Sequence, residues 1–147
     1  MDASLQLTHC SWQGSREALG NVRRIVFIEE QHVPEALELD EQDPVCHHVL
    51  ITDAGNQPVA TGRISPDGRI GRMAVLKEYR GQGIGSALLA ALLEYAGQEH
   101  YASVYLHAQL TAIPFYEKHG FMVNGEQFMD AGISHRNMIL NTASNTP

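Results

Sequence analysis

A glycine-rich turn between an apolar run and an amphipathic helix is the feature that most constrains the fold of this chain. Residues 72–89 read RMAVLKEYRGQGIGSALL. After the turn, apolar side chains recur at helical spacing, at Ile84, Ala87, Leu88, Ala91, Leu92 and Tyr95. The glycines therefore lie at or just before a helix N-terminus, where backbone amides without intrahelical partners point outward and attract anions. Glycine suits this position because it lets a phosphate approach the amides and adopts positive φ at little cost.

The spacing of Gly81, Gly83 and Gly85 differs from that of two well-known phosphate-binding loops. A dinucleotide-binding G-x-G-x-x-G motif that began at Gly81 would need glycine in place of Ser86, and a Walker A loop would need Gly-Lys-Ser/Thr after its second glycine. Two interpretations of the glycines alone remain open, a phosphate-binding turn and a plain strand-to-helix connection.

Two motifs resemble the GNAT superfamily of N-acetyltransferases. RGQGIG at residues 80–85 resembles its R/Q-x-x-G-x-G/A signature, and AIPFYEKHGF at residues 112–121 resembles its last conserved block, a short helix that bears a tyrosine and ends in a Gly-Phe turn. Residues 24–34, Asp40 and residues 130–135 further resemble a small bacterial subgroup of stand-alone GNAT domains. The resemblance extends from about residue 5 to about residue 140 and implies an α/β fold, with a mixed, largely antiparallel central sheet flanked by helices.

The resemblance also implies a binding site for acetyl-CoA as the acetyl donor. The backbone of Met73, Ala74 and Val75 would pair with the pantetheine arm like an added strand. The pyrophosphate would be held through the amides of Arg80, Gly81, Gln82, Gly83, Ile84, Gly85 and Ser86. The alternative is that residues 73–75 are ordinary buried strand residues and that Arg80 is a solvated surface charge.

Tyr116 matches the family tyrosine that protonates the departing thiolate. A phenol with a pKa of about 10 remains a proton donor at neutral pH. The alternative is a core aromatic residue. Its neighbour Phe115 must face another way on a helix, so only one of the two can point at the cofactor.

The general base cannot be carried over from the resemblance. Some GNAT enzymes place a glutamate near the start of the strand before the glycine turn, but this chain has Arg69, Ile70, Gly71 and Arg72 there. The remaining candidates are Glu30, Asp40, His107, His135 and a water chain. Each is open at this point.

Length and charge restrict the class of protein. A chain of 147 residues fits a single domain over residues 1–147, long enough to bury a core without disulfides or metal. No apolar run reaches the length of a membrane span and no secretion signal is present, so we expect a cytoplasmic protein that does not associate with membranes. The net charge of −7 argues against a nucleic-acid partner.

The cysteines and histidines give no pattern for a disulfide or a metal site. Cys10 and Cys46 are expected to be reduced thiols. The adjacent His47 and His48 would point to opposite faces of a strand, and no H-x-x-x-H or C-x-x-C pair exists, so we expect no metal site.

Hydrophobic periodicity and turn residues predict one continuous unit. Strands are predicted over residues 5–9, 48–52, 59–64, 70–76, 104–108, 121–129 and 135–140. Three helices are predicted. The first covers residues 15–29 with Ser15 as its N-cap, the second runs from the glycine turn to about residue 99, and the third covers residues 112–119. Residues 34–43 are predicted to form an acidic loop, with or without one helical turn, and the polar tail 141–147 is expected to fray.

The hypothesis is an N-acetyltransferase that moves an acetyl group from acetyl-CoA to a primary amine by direct attack in a ternary complex. A small amine, a peptide or protein N-terminus and a lysine all remain open as acceptors. Two other classes are a non-catalytic acyl-CoA sensor, which would need no working acid or base, and a nucleotide-binding enzyme. Many GNAT relatives form dimers, so a homodimer is expected.

Overall fold

The computed structural model describes residues 2–38 and 41–142. Within these residues the strands are β1 (Gln6–Cys10), β2 (His47–Thr52), β3 (Pro58–Ile64), β4 (Arg69–Val75), β5 (Ser103–Gln109), β6 (Met122–Val123), β7 (Phe128–Asp130) and β8 (Ile133–Asn141). The helices are α1 (Trp12–Arg23), a π-helix (Arg24–Glu30), α2 (Glu35–Glu38), α3 (Ile84–Gln98) and α4 (Ile113–Lys118), with short 3₁₀ turns at Asp43–Val45, Lys77–Tyr79 and Leu110–Ala112. None of these helices is long and apolar enough to cross a membrane.

The strands form one mixed sheet in the order β1-β2-β3-β4-β5-β8-β6, and β7 pairs with β8. All pairings are antiparallel except that of β4 with β5, which is parallel. The predicted fold class is therefore confirmed. The parallel pair is short, because its register joins Arg69 to Tyr105 and Ile70 to Leu106 only. Beyond this point β4 and β5 diverge and leave a gap between them.

The main core lies between the sheet and α3. Leu88 and Leu92 of α3 are fully buried, as the helical spacing predicted, and Leu89 is fully buried as well. A smaller apolar cluster lies on the other face, where Val22 and Val26 pack against Ala74 of β4. The strand before the glycine turn is thus covered on both faces, which fixes its position relative to the turn.

The first helix begins earlier than predicted. Its N-cap is Ser11, whose hydroxyl accepts a hydrogen bond from the amide of Gly14 at 3.3 Å. Ser15, the predicted N-cap, lies at a kink inside α1 with φ of −135°. The helix then continues as a π-helix, a wider helix that periodicity alone does not reveal.

The predicted strand 121–129 is wrong in its length. It consists of two short strands, β6 and β7, and Gly125 with φ of 101° lies between them. At the C-terminus, β8 extends to Asn141, and the amide of Thr142 donates to the carbonyl of Ala102 at 3.1 Å. The tail was predicted to fray from residue 141; residues 143–147 lie outside the described residues.

Candidate functional site

The C-terminal end of β4 presents backbone groups to the gap between β4 and β5. A bulge lies in this strand, since Arg63 and Thr61 of β3 pair with Gly71 and Ala74 of β4 and the intervening Arg72 has φ of 51°. The amide of Leu76 donates to the carbonyl of Val59 at 2.9 Å. The antiparallel register therefore turns the N–H and C=O of Val75 away from β3 and toward the gap.

The glycine turn ends in an uncapped helix N-terminus. Gly83, the N-cap of α3, has φ of 81°, and Gly81 has φ of 78°. A Cβ atom at either position would meet no other atom within 4 Å, so backbone conformation and not crowding requires glycine there. The N-cap forms no side-chain hydrogen bond, and the amides at the start of α3 are left to bind an external anion.

The side chain of Arg80 joins the turn to the π-helix. Its guanidinium makes a two-pronged ion pair with Glu30, at 2.6 and 2.8 Å, and its Nε donates to the carbonyl of Val75 at 2.9 Å. The hydrogen bond between the two side chains raises the pKa of Arg80 and lowers the pKa of Glu30. Arg80 thus holds the glycine turn against the π-helix. Its role in binding pyrophosphate remains a prediction. Glu30 is a weak candidate base, because a lowered pKa reduces its affinity for a proton.

Tyr116 projects from α4 toward β4, with its hydroxyl 3.9 Å from the sulfur of Met73. Burial raises the pKa of Tyr116 to about 12. The adjacent Phe115 packs toward the start of α3, where a Cβ on Gly85 would lie 3.5 Å from its ring. The two aromatic residues therefore differ in position as expected, and Tyr116 is the one beside the gap.

A cavity of about 480 Å³ adjoins this gap on the sheet face that carries the π-helix. Its walls come from the π-helix, the strands β4 and β5, and the β7–β8 hairpin. The polar side chains in its lining include Gln31, Arg63, Asp67, Arg69, Arg72, Tyr105, His107, Gln109, Tyr116, Asp130 and His135. The cavity therefore places titratable groups next to the end of the gap marked by Met73 and Tyr116.

His135 is held in one orientation in the cavity wall. It is 8% exposed, and its Nδ1 lies 2.7 Å from the carbonyl oxygen of Ile133. A carbonyl oxygen only accepts hydrogen bonds, so Nδ1 carries a proton and the neutral ring has its lone pair on Nε2. The ring also stacks on Phe128, at a centroid distance of 5.8 Å. In the neutral ring, Nε2 is thus the nitrogen that can accept a proton.

His107 lines the same cavity. Burial lowers its pKa, and the charge of Arg69 lowers it further. Its ring contacts Phe128 edge to face at 5.1 Å. Of the four side chains considered as bases, the structure brings His107 and His135 into the cavity, pairs Glu30 with Arg80, and leaves Asp40 outside the described residues. In the part of the chain that the structure describes, no group of three or more potential metal ligands comes together.

A buried charge network, which no sequence pattern predicted, lies behind the cavity. Arg23 of α1 donates to Glu38 at 2.5 Å and to Asp43 at 2.7 Å, and Arg63 of β3 donates to Asp43 at 2.5 Å. Glu38 and Asp43 belong to the segment that was predicted as an acidic loop, but both are buried. Arg23 lies four residues after the buried Leu19, a spacing that could have marked it as a buried cation in need of carboxylates.

Comparison with known proteins identifies the family. The model of the acetyltransferase (GNAT) domain matches residues 11–142. This chain belongs to the GNAT family. The uncharacterized N-acetyltransferase YjcF of Bacillus subtilis (strain 168) is 39% identical over 122 residues, which make up 80% of this chain and 86% of that protein. The uncharacterized protein YyaT of the same strain is 42% identical over 125 residues, 81% of this chain and 83% of that protein.

Solved structures agree with this assignment. The crystal structure of an acyl-CoA N-acyltransferase from Pseudomonas aeruginosa is similar to this chain with a TM-score of 0.83 and 30% identity, over 92% of this chain and 99% of that one. Escherichia coli ElaA is similar with a TM-score of 0.81 and 28% identity, over 92% and 98%. This GNAT protein is an acyltransferase that uses an acyl-CoA cosubstrate.

Proposed function

We propose that this GNAT protein transfers the acetyl group of acetyl-CoA to a primary amine by direct attack in a ternary complex. The observation that carries the proposal is the gap between β4 and β5. At this gap the glycine turn, the N–H of Val75, the hydroxyl of Tyr116 and the polar cavity adjoin one another. Donor and acceptor can therefore meet without a covalent enzyme intermediate.

The donor would lie along the gap. Its pyrophosphate would accept hydrogen bonds from the amides that begin α3, and its pantetheine arm would pair with β4 beside Met73, Ala74 and Val75. The N–H of Val75 faces the gap and would donate to the thioester oxygen as negative charge develops on it. The acyl carbon would then lie at the cavity end of the gap.

Acid and base would come from opposite sides of the acyl carbon. The neutral amine attacks the carbonyl carbon, and Nε2 of His135 takes the proton that the nitrogen loses. When the tetrahedral intermediate collapses, the C–S bond breaks and the thiolate takes the proton of Tyr116. The products are CoA and the N-acetylated amine, and proton transfer through solvent restores both side chains.

Calorimetric titration with acetyl-CoA tests the donor half of the proposal. We expect saturable binding at one site, weakened at least about tenfold by Ser86→Glu. A glutamate at this position repels the pyrophosphate but favours the helix, because negative charge stabilises its first turn. Gln98→Glu is the matched control, since it adds the same charge at the other end of α3.

Two results would contradict the proposal. The absence of binding at millimolar acetyl-CoA would show that it is not the donor, and equal weakening by both substitutions would show that its phosphates bind away from the glycine turn.

A screen of primary amines for CoA release tests the acceptor half of the proposal, with His135→Asn as the variant. We expect at least about a 100-fold loss of kcat in this variant, because asparagine cannot accept the proton.

A further inference from the structure

We infer that the acceptor is a small amine that also carries a carboxylate, and that Arg69 binds this carboxylate. The inference rests on the proposed function and specifies the acceptor class for it. It comes from the charges that line the cavity and from the partners that those charges have.

The three arginines in the cavity wall differ in their partners. Arg63 makes an ion pair with Asp43 at 2.5 Å, and Nη2 of Arg72 donates to the carbonyl of Glu38 at 3.2 Å. The guanidinium of Arg69 makes no hydrogen bond or ion pair with any residue in the ranges 2–38 and 41–142. Arg69 is nevertheless half-buried and lines the cavity. A cation that is partly removed from water and lacks a protein partner is suited to bind an anion.

The carboxylate of Asp67, two residues before Arg69, forms no ion pair with the Arg69 guanidinium. Its oxygens accept hydrogen bonds from the hydroxyl of Ser65 and, at 2.7 Å, from the hydroxyl of Tyr105. The same Ser65 hydroxyl also holds the backbone of Arg69, because the amide of Arg69 donates to its oxygen at 3.0 Å. The arginine is therefore anchored at the start of β4, with its side chain available to the cavity.

Arg69 and the proposed base lie at opposite ends of the cavity. Arg69 pairs with Tyr105 of β5, whereas His135 of β8 pairs with Gln109 of the same strand. The two residues are thus separated by two strand spacings, ~10 Å, across the sheet and by four residues, ~13 Å, along it. An acceptor whose carboxylate contacts Arg69 extends toward His135 with its amine, and the wall between them includes Tyr105 and His107.

Cavity size and net charge restrict the acceptor further. The volume of about 480 Å³ lies in the range of small-molecule sites, and the acyl end of the donor occupies part of it. The chain as a whole carries a net charge of −7, which disfavours anionic ligands in general. A local, unpaired arginine is therefore required for a carboxylate to bind here.

Matched acids and amides test this inference. At saturating acetyl-CoA, initial rates would be measured for α-amino acids and for ω-amino acids from β-alanine to 6-aminohexanoate, each against its neutral primary amide. We expect the best acid to exceed its amide in kcat/KM by at least about tenfold, the value of one charge-assisted hydrogen bond. In Arg69→Gln this preference should vanish through a raised KM for the acids, with kcat within about threefold. Arg69→Lys should keep part of the preference.

Arg16→Gln is the matched control, because it removes the same charge from the exposed face of α1 and should leave the preference unchanged. Equal kcat/KM for acids and amides in the unsubstituted protein would overturn the inference, and so would an equal loss for both in Arg69→Gln. The comparison in the unsubstituted protein needs no variant, so a folding defect in Arg69→Gln leaves the test intact. The failure of all amines to react would instead contradict the proposed function.

Discussion

Tyr116 illustrates how a single side chain acquires its chemistry from its surroundings. The sequence supplies the phenol, and burial beneath α4 raises its pKa to about 12. The proton is therefore retained at every pH at which the protein would work. Burial also raises the pKa of a thiol that departs into the same gap, so the donor and the acceptor of this proton shift in the same direction.

Replacement of Tyr116 by phenylalanine should lower kcat about 100-fold and leave the Kd for acetyl-CoA within about twofold. The reason is that the hydroxyl acts on the departing thiolate and not on the bound donor. The measurement is the rate of CoA release with a reactive amine from pH 7 to pH 10, together with calorimetric binding. Over this range the unsubstituted protein should show no loss of rate from ionisation of Tyr116, because its pKa is about 12.

Tyr105→Phe is the control for this substitution. It removes a hydroxyl from the same cavity, but one that donates to Asp67 at 2.7 Å, on a residue that pairs with Arg69, four positions before Met73 in β4. We expect its effect on kcat to be less than tenfold. Turnover by Tyr116→Phe that equals the unsubstituted rate at every pH would show that another group protonates the thiolate.

Two glycines of the same helical segment differ in what their backbone requires. Gly83 begins α3 with φ of 81°, whereas Gly97 lies within its last turn, and neither would bring a Cβ within 4 Å of another atom. Gly83→Ala should destabilise the fold by ~1–2 kcal/mol, because a side chain disfavours the left-handed conformation. Gly97→Ala should stabilise it by up to ~1 kcal/mol through helix propensity.

Urea unfolding of both variants measures this difference in the free energy of unfolding. The chemical change is identical at the two positions. If the free energy of unfolding changes with opposite sign, the cause is therefore the backbone conformation. A stabilising effect of Gly83→Ala would mean that the turn adopts a different backbone conformation in solution.

His47 of β2 contacts both the neighbouring strand β1 and the helix α3. Its ring stacks on Tyr95 of α3 at a centroid distance of 3.7 Å, and its Nε2 lies 2.7 Å from Nδ1 of His9 on β1. Burial, followed by the charges of His9 and His48, lowers the pKa of His47 to about 4. The native contacts therefore require the neutral ring.

The free energy of unfolding should fall as the pH drops from about 6.5 to about 4, because the unfolded chain binds a proton at His47 that the folded chain excludes. Above pH 6.5 this contribution is fully present. With allowance for solvent screening of the partly exposed ring, we expect a loss of about 1–2 kcal/mol. Urea unfolding at pH 7 and pH 4.5 measures it.

His47→Phe should remove this part of the pH dependence, since the stacking surface stays and the titrating group is lost. His100→Asn is the control, because His100 is exposed and its φ of 61° suits asparagine. An unchanged pH dependence in His47→Phe would assign the titration to another group.

At the scale of the whole molecule, sequence patterns predicted the elements whose formation depends on residues close together in the chain. The helical spacing of Leu88 and Leu92 and the glycines before them locate α3 and its uncapped N-terminus. The pairing of Arg23 with Asp43, twenty residues away, follows from tertiary contacts that no local period encodes. The same holds for the cavity, because His135 and Arg69 come to line one cavity only through their separate pairings with β5.

The buried charge network connects α1, the segment after α2 and β3. Asp43 accepts hydrogen bonds from Arg23 at 2.7 and 3.1 Å and from Arg63 at 2.5 Å, and it is 2% exposed. The backbone carbonyl of Glu38 accepts from Arg23 and from Arg72, each at 3.2 Å. Since Arg63 and Arg72 line the cavity, the network holds one wall of the candidate site in place.

Asp43→Asn should lower the free energy of unfolding by about 3–5 kcal/mol, because two buried guanidiniums lose the carboxylate that compensates them and the new amide group adds a donor facing other donors. This is a large share of the 5–15 kcal/mol that is typical of a whole domain. Glu17→Gln, which neutralises an exposed acid on α1, should change the same free energy by less than about 0.5 kcal/mol. Urea unfolding of both variants near neutral pH measures the difference. If Asp43→Asn were no more destabilising than Glu17→Gln, water would have to reach the arginines, and the wall would be held by apolar packing alone.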